Sequence, residues 1–181
     1  MRNTVLRTPR LELVACSEAL LLAETDVVRF AELLDVRIPV EWPPELYDEP
    51  ARFWTLERVR EAPEHEGWWM YYIVREGTPE REIVGIVGYK GPPDADGMVE
   101  VGYGVLTPHR RAGYATEATD ALIARAFAHP EVRRVTAETL PELEPSIGVL
   151  GKLGFAFIGE GSEKGVIRYE LTREAWEERA R

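Results

Sequence analysis

Residues 99–117 read VEVGYGVLTPHRRAGYATE and hold the densest set of side chains able to do chemistry. His109, Arg110 and Arg111 lead into Ala112 and Gly113 between a strand-like and a helix-like stretch. Glycine at 113 lets the backbone turn with no Cβ in the way, and successive amides in such a turn can point into one concavity that holds an anion. The start of the following helix adds free N–H groups and the positive end of its dipole. Two arginines contribute full charge and forked donors, and Thr116 a hydroxyl. Together these groups suit a pyrophosphate. Other signatures are missing. There is no GxxxxGK[ST], and Gly102-Tyr103-Gly104 does not continue into GxGxxG. HExxH, CxxC and GxSxG are also absent. His65, His109 and His129 lack metal-ligand spacing, so no metal is expected.

The chain has 181 residues, enough for one good core and read as one domain over 1–181. A formal charge of −10 argues against nucleic acid, which needs a basic face. It is compatible with a cationic partner, and the plainer reading is solubility. No apolar run is long enough to span a bilayer. Arg7, Arg10 and Glu12 interrupt any signal-like start, so no membrane association and a cytoplasmic location are expected. The single Cys16 can make no intrachain disulfide and reads as a small core residue.

These groups must be positioned by the surrounding elements. Residues 11–14 read as a strand, 17–22 as a short helix capped by Ser17, and 27–34 as a second helical piece. Trp42-Pro43-Pro44 forces a bend. Pro50 opens a further helix with Phe53, Leu56 and Val59 on one face. Aromatic and β-branched residues predict strands at 68–75, 83–89 and 98–106, with turns at 76–79 and 91–97, making an antiparallel meander. After the loop 107–112, Ala115, Ala118, Leu122 and Ala126 follow helical spacing to about residue 128. A strand at 132–139, a helix at 146–153 stopped by Gly154, strands at 155–158 and 166–171, and a helix capped by Thr172 complete the chain. The order gives an α+β fold with a mixed sheet.

The run Arg110-Arg111-Ala112-Gly113-Tyr114-Ala115 resembles the [QR]xxGx[GA] acyl-CoA loop of the GNAT N-acetyltransferase superfamily, and its extension GYATEA is similar to the branch of ribosomal-protein N-terminal acetyltransferases of the RimJ/RimL kind. TPRLEL at 8–13, EVGY at 100–103 and SIGVLGKLGF at 146–155 are similar to that branch in the same order. The resemblance implies a mostly antiparallel seven-stranded sheet flanked by helices, splayed between its fourth and fifth strands. Acetyl-CoA would lie in that gap as co-substrate, against the backbone of Gly104, Val105 and Leu106. Its pyrophosphate would sit on Arg110, Arg111, Ala112, Gly113, Tyr114, Ala115 and Thr116. For Tyr114, packing is an equal reading. Strand alternation puts Glu100, Gly102 and Gly104 on one face, which leaves room for a ligand or marks a plain twist.

The implied reaction is direct attack of a neutral amine on the acetyl thioester. A lysine-like amine, with pKa about 10.4, is scarcely neutral at pH 7, whereas an α-amine near 8 is about a tenth neutral. Glu100 is the candidate base, with a structural ion pair as its plainer role. A backbone N–H at Val105 or Leu106 is the candidate oxyanion donor. Two departures from the superfamily concern the acid: Leu143 stands where many members have Asn, and Leu150 where many have the tyrosine that protonates the thiolate. Ser146 is a candidate for contact with CoA or for a helix cap. Trp42 and Tyr47, among Glu41, Glu45, Asp48 and Glu49, are candidates for binding the amine by charge and cation–π contact, or else core anchors of a loop. The acceptor class stays open between a protein N-terminus and a small-molecule amine. So does the choice between an active enzyme and a non-catalytic acyl-CoA-binding regulatory domain. A homodimer is compatible with the family, with no interface marked in the sequence.

Overall fold

The computed structural model describes residues 4–77 and 80–179. The turn expected at 76–79 therefore falls partly outside the described residues. Eight strands form one sheet: β1 (Val5–Arg7), β2 (Leu11–Ala15), β3 (Met70–Arg75), β4 (Glu82–Tyr89), β5 (Met98–Val105), β6 (Arg134–Thr139), β7 (Ala156–Glu160) and β8 (Ile167–Thr172), in the order β1-β2-β3-β4-β5-β6-β8-β7. Neighbours are antiparallel except β5 and β6, which run parallel. The count exceeds the expected seven by β1. Its three residues pair with β2 at the sheet edge and carry too little periodicity to be read as a strand.

Among the described residues, six α-helices cover the two faces. Alternation along the strands divides the core accordingly. Leu11, Leu13, Tyr71, Ile73, Val99 and Val101 face α4 (Tyr114–Phe127), α5 (Glu144–Lys152) and α6 (Arg173–Arg179). Val14, Tyr72, Val74 and Ile83 face α1 (Glu18–Ala23), α2 (Val27–Leu34) and α3 (Glu49–Glu61). Helix α4 presents Ala118, Leu122, Ile123, Ala126 and Phe127 to the sheet, all buried. Each large apolar side chain among them contributes roughly 1.5–3 kcal/mol, which fixes the loop at the helix's start.

Three helices are closed by side-chain caps: Ser17 for α1, Asp26 for α2 and Asp48 for α3. Thr172 Oγ1 likewise accepts from Ala175 N–H at 3.2 Å. Phe53 departs from its expected place: it is 49% exposed, under the Arg52 guanidinium, while Leu56 is buried. Helix α5 starts at Glu144, two residues before Ser146, with Pro145 in its first turn. Ser146 is thus inside the helix and does not cap it. Among the described residues no helix is long and apolar enough to cross a membrane.

Candidate active site

The sheet opens between β5 and β6. Their paired residues run from Met98↔Arg134 to Val101↔Ala137 and stop, although β5 continues to Val105 and β6 to Thr139. The antiparallel ladder on the other side sets the phase of β5. Lys90 N–H donates to Glu100 O at 2.9 Å and Leu106 N–H to Val84 O at 2.9 Å. Alternate residues point their backbone groups to opposite sides. Glu100, Gly102, Gly104 and Leu106 therefore address β4, while Tyr103 and Val105 address the gap. Of the expected backbone contacts, Val105 faces the opening, and the Leu106 N–H is already spent. The Val105 N–H is the donor left to the gap.

The loop after β5 makes a 3-10 turn at Thr107–His109 and enters α4 through Gly113. Arg111 and Gly113 both have left-handed φ, 62° and 82°. Unlike α1 to α3, α4 has no side-chain cap, so its first N–H groups are bare. Two braces hold this end. Glu117 accepts from Thr8 Oγ1 at 2.6 Å, Arg10 N at 3.0 Å and Arg10 Nε at 2.7 Å. Burial alone would raise the Glu117 carboxyl, but these bonds hold it below its ordinary value. Arg10 also donates to Ala112 O at 2.9 Å and lies over the half-buried Tyr114 ring. Below, His109 Nε2 stands 3.6 Å from buried Glu82 Oε1, so His109 is turned to the sheet.

The two arginines have different places. Arg111 is exposed and makes no ion pair among the described residues. Arg110 turns away from the helix start: its Nε donates to Val105 O at 3.2 Å and its Nη2 to Glu45 Oε2 at 2.8 Å. Its guanidinium is thus held by the end of β5 and by the loop that carries Glu45. Ala115 and Thr116 lie in the first turn of α4, where Thr116 lines a cleft shared with Arg10 and Gly113.

Across the gap, Tyr103 reaches α5. Its hydroxyl donates to Ser146 O at 3.1 Å and lies 3.0 Å from Ser146 Oγ. Burial pushes this phenol up by more than the serine bond pulls it down, so it keeps its proton at neutral pH. Leu143 precedes α5, and Leu150 is fully buried, so neither supplies a polar group to the gap. Sequence spacing alone did not connect Tyr103 with Ser146, which is 43 residues further on.

On the opposite face Glu100 is ion-paired with Lys90, and its Oε1 is shut off from solvent. A Cβ on Gly102 would meet nothing within 4 Å, so open space lies beside Glu100. Glu138 sits just past the apex of the splay, but it is occupied by Ser162 and Arg168, which hold it below its ordinary value against the raising effect of burial. Trp42 and Tyr47 pack with Phe30 and Tyr72, ring centroids 5.2–6.2 Å apart. Tyr47 is only 6% exposed, and its hydroxyl is given to Glu24 at 3.0 Å. Tyr47 is thus a core anchor of the loop, and Trp42 is half-buried against Phe30, Tyr47 and Tyr72. The loop instead delivers Pro44, whose Cβ would be 3.4 Å from a Cβ at Gly104, and Glu45.

Residues 5–156 match the family model for the acetyltransferase (GNAT) domain. The chain belongs to the GNAT family. YjdG, an uncharacterized N-acetyltransferase of Bacillus subtilis (strain 168), is 40% identical over 82 residues, covering 45% of this chain and 49% of that protein. This GNAT chain spans about half the length of the curated relatives it matches. The ribosomal-protein-S5-alanine acetyltransferase of Vibrio fischeri superposes with a TM-score of 0.65 at 19% identity, covering 96% of this chain and 99% of that one. RimL, a ribosomal L7/L12 alpha-N-protein acetyltransferase solved with coenzyme A, gives a TM-score of 0.66 at 16% identity over 95% and 99% of the two chains. At these identities the likeness is one of fold, and it agrees with the mixed α+β GNAT architecture described above.

Proposed function

We propose that this chain is an N-acetyltransferase that moves an acetyl group from acetyl-CoA to a primary amine. The observation that carries this reading is the β5–β6 opening, which leads directly to the uncapped start of α4. Acetyl-CoA supplies an activated thioester carbonyl. The bare N–H groups of the first turn of α4 and the Arg111 guanidinium bind the pyrophosphate. The Val105 N–H donates to the carbonyl oxygen as it gains negative charge. Glu100 takes the proton of the amine, directly or through water, in the open space beside Gly102. Lys90 holds that carboxylate in place. The Tyr103 hydroxyl, steadied by Ser146, returns a proton to the sulfur, the role Leu150 cannot fill. The acceptor class includes protein N-termini, in line with RimL, an alpha-N-protein acetyltransferase, and small-molecule amines.

Calorimetric titration with acetyl-CoA tests the cofactor half. Wild type should bind, and a double variant, Arg111→Glu with Gly113→Asp, should bind at least tenfold more weakly, in line with losing about 1.5–3 kcal/mol of charge-assisted hydrogen bonding. No binding by wild type would overturn the assignment. Release of free CoA in the presence of a panel of peptides with free N-termini and of small amines tests transfer. Binding without release for any amine would favour the non-catalytic reading, for which the Lys90–Glu100 pair is the specific support.

A further inference from the structure

The loop resemblance assigns Arg110 to the pyrophosphate, yet its guanidinium is 2.8 Å from Glu45 and 3.2 Å from the Val105 carbonyl. The geometry points to Arg110 as a positioning residue for the acyl end of the site: it covers the Val105 carbonyl and sets a cation beside the Val105 N–H, with Glu45 of the acceptor-side loop holding it there. This inference rests on the cofactor reading above.

The argument starts from the phase of β5. Because Leu106 N–H bonds Val84 O, both the N–H and the C=O of Val105 face the gap. A bare carbonyl there would repel an oxygen gaining negative charge and would compete for the N–H's role. Arg110 removes that carbonyl by hydrogen bonding it, and its guanidinium, with its charge partly offset by Glu45, lies on the same side of β5 as the Val105 N–H. The guanidinium meets two partners from different segments with two separate nitrogens, Nε and Nη2, where an ammonium would have to reach both from one atom. Glu45 follows Pro44, which is pressed over Gly104, and the loop carrying both is anchored by Trp42, Tyr47 and the Tyr47–Glu24 bond. The loop on the acceptor face therefore touches the charge that polarises the thioester. Arg111, exposed and without an ion pair among the described residues, is left to the phosphates.

The test combines a binding constant with a spectroscopic signature, neither of which needs a known acceptor. Acetyl-CoA labelled with 13C at the acetyl carbonyl is titrated into wild type, Arg110→Gln, Arg110→Lys, Glu45→Gln and Arg111→Glu. The dissociation constant is read by calorimetry and the bound carbonyl shift by NMR. Wild type should move the carbonyl signal downfield, as a polarised C=O does. Arg110→Gln should keep the dissociation constant within about twofold and lose most of that shift, Glu45→Gln should lose part of it, and Arg110→Lys should recover only part. Arg111→Glu should weaken binding about tenfold or more. Weakening of that size in Arg110→Gln would return Arg110 to the pyrophosphate and overturn the inference alone. An unchanged carbonyl shift in Arg110→Gln would overturn it as well. Failure of wild type to bind would instead overturn the cofactor reading, and this inference with it.

Discussion

Glu100 stands one step below the point where β5 and β6 part, on the face that Gly102 leaves open. If it is the base, Glu100→Gln should lower kcat about 100-fold, the scale of a positioned general base. The loss should be larger for a lysine-like acceptor than for an α-amine, because the α-amine is already partly neutral at pH 7. Steady-state kinetics with both acceptor types check this, and equal losses would point to a purely structural ion pair. Tyr103→Phe should reduce kcat about tenfold while leaving CoA affinity intact, since it removes a proton donor and no phosphate contact. Glu117 gives a pH-dependent expectation. Its folded pKa lies below the ordinary carboxylate value, so its contribution is full above that value and is lost as pH falls through the lowered one. At pH 7 the variant Glu117→Gln should cost about 1.5 kcal/mol. The difference in Tm between wild type and variant should shrink below about pH 4.

At the loop-to-helix junction two nearby residues, Arg111 and Gly113, both take left-handed backbone. Gly113 has φ 82°, and an added Cβ would lie 3.3 Å from Arg10 Nη2. Gly113→Ala should therefore destabilise by about 1–2 kcal/mol and weaken CoA binding, measured by thermal unfolding and calorimetry. This junction was legible in the sequence because glycine, arginines and a following helical period all sit within a few residues. Strands β3 to β5 were legible for the same local reason, as aromatic and β-branched runs separated by turns. What local sequence does not carry depends on distance. The register that spends Leu106 N–H and frees Val105 N–H is set by β4, and the turning of Arg110 by Glu45, 65 residues earlier. The start of α5 was misplaced because Ser146 looks like a cap, although Pro145 signalled an earlier start. Trp42 and Tyr47 carry two meanings in the sequence, because their partners, Phe30 and Tyr72 for Trp42 and Glu24 for Tyr47, lie elsewhere in the chain.

The whole molecule bears a charge of −10, yet Arg111, exposed and without an ion pair among the described residues, stands in the loop beside the gap, while Arg10 and Arg110 are paired with Glu117 and Glu45. At about 0.01 M salt the field reaches roughly 30 Å, and a polyanion meets the net repulsion; at 0.15 M it reaches about 8 Å and the local cations dominate. The association rate of CoA should thus rise between these conditions, as followed by stopped-flow fluorescence. A falling rate would mean that the basic mouth steers from afar. The uncapped start of α4 has a further consequence, for thermodynamic linkage. Its amides at Tyr114, Ala115 and Thr116 have no internal acceptor, so in the free protein they should exchange with deuterium early, ahead of the rest of a helix packed on the core. A ligand that accepts from them binds the folded chain and not the unfolded one. Its free energy is added to stability as RT ln(1 + [L]/Kd), about 2.7 kcal/mol at a hundredfold excess over Kd. If acetyl-CoA is that ligand, the heat resistance of this protein should track its supply, with the slowing of exchange confined first to one helical turn.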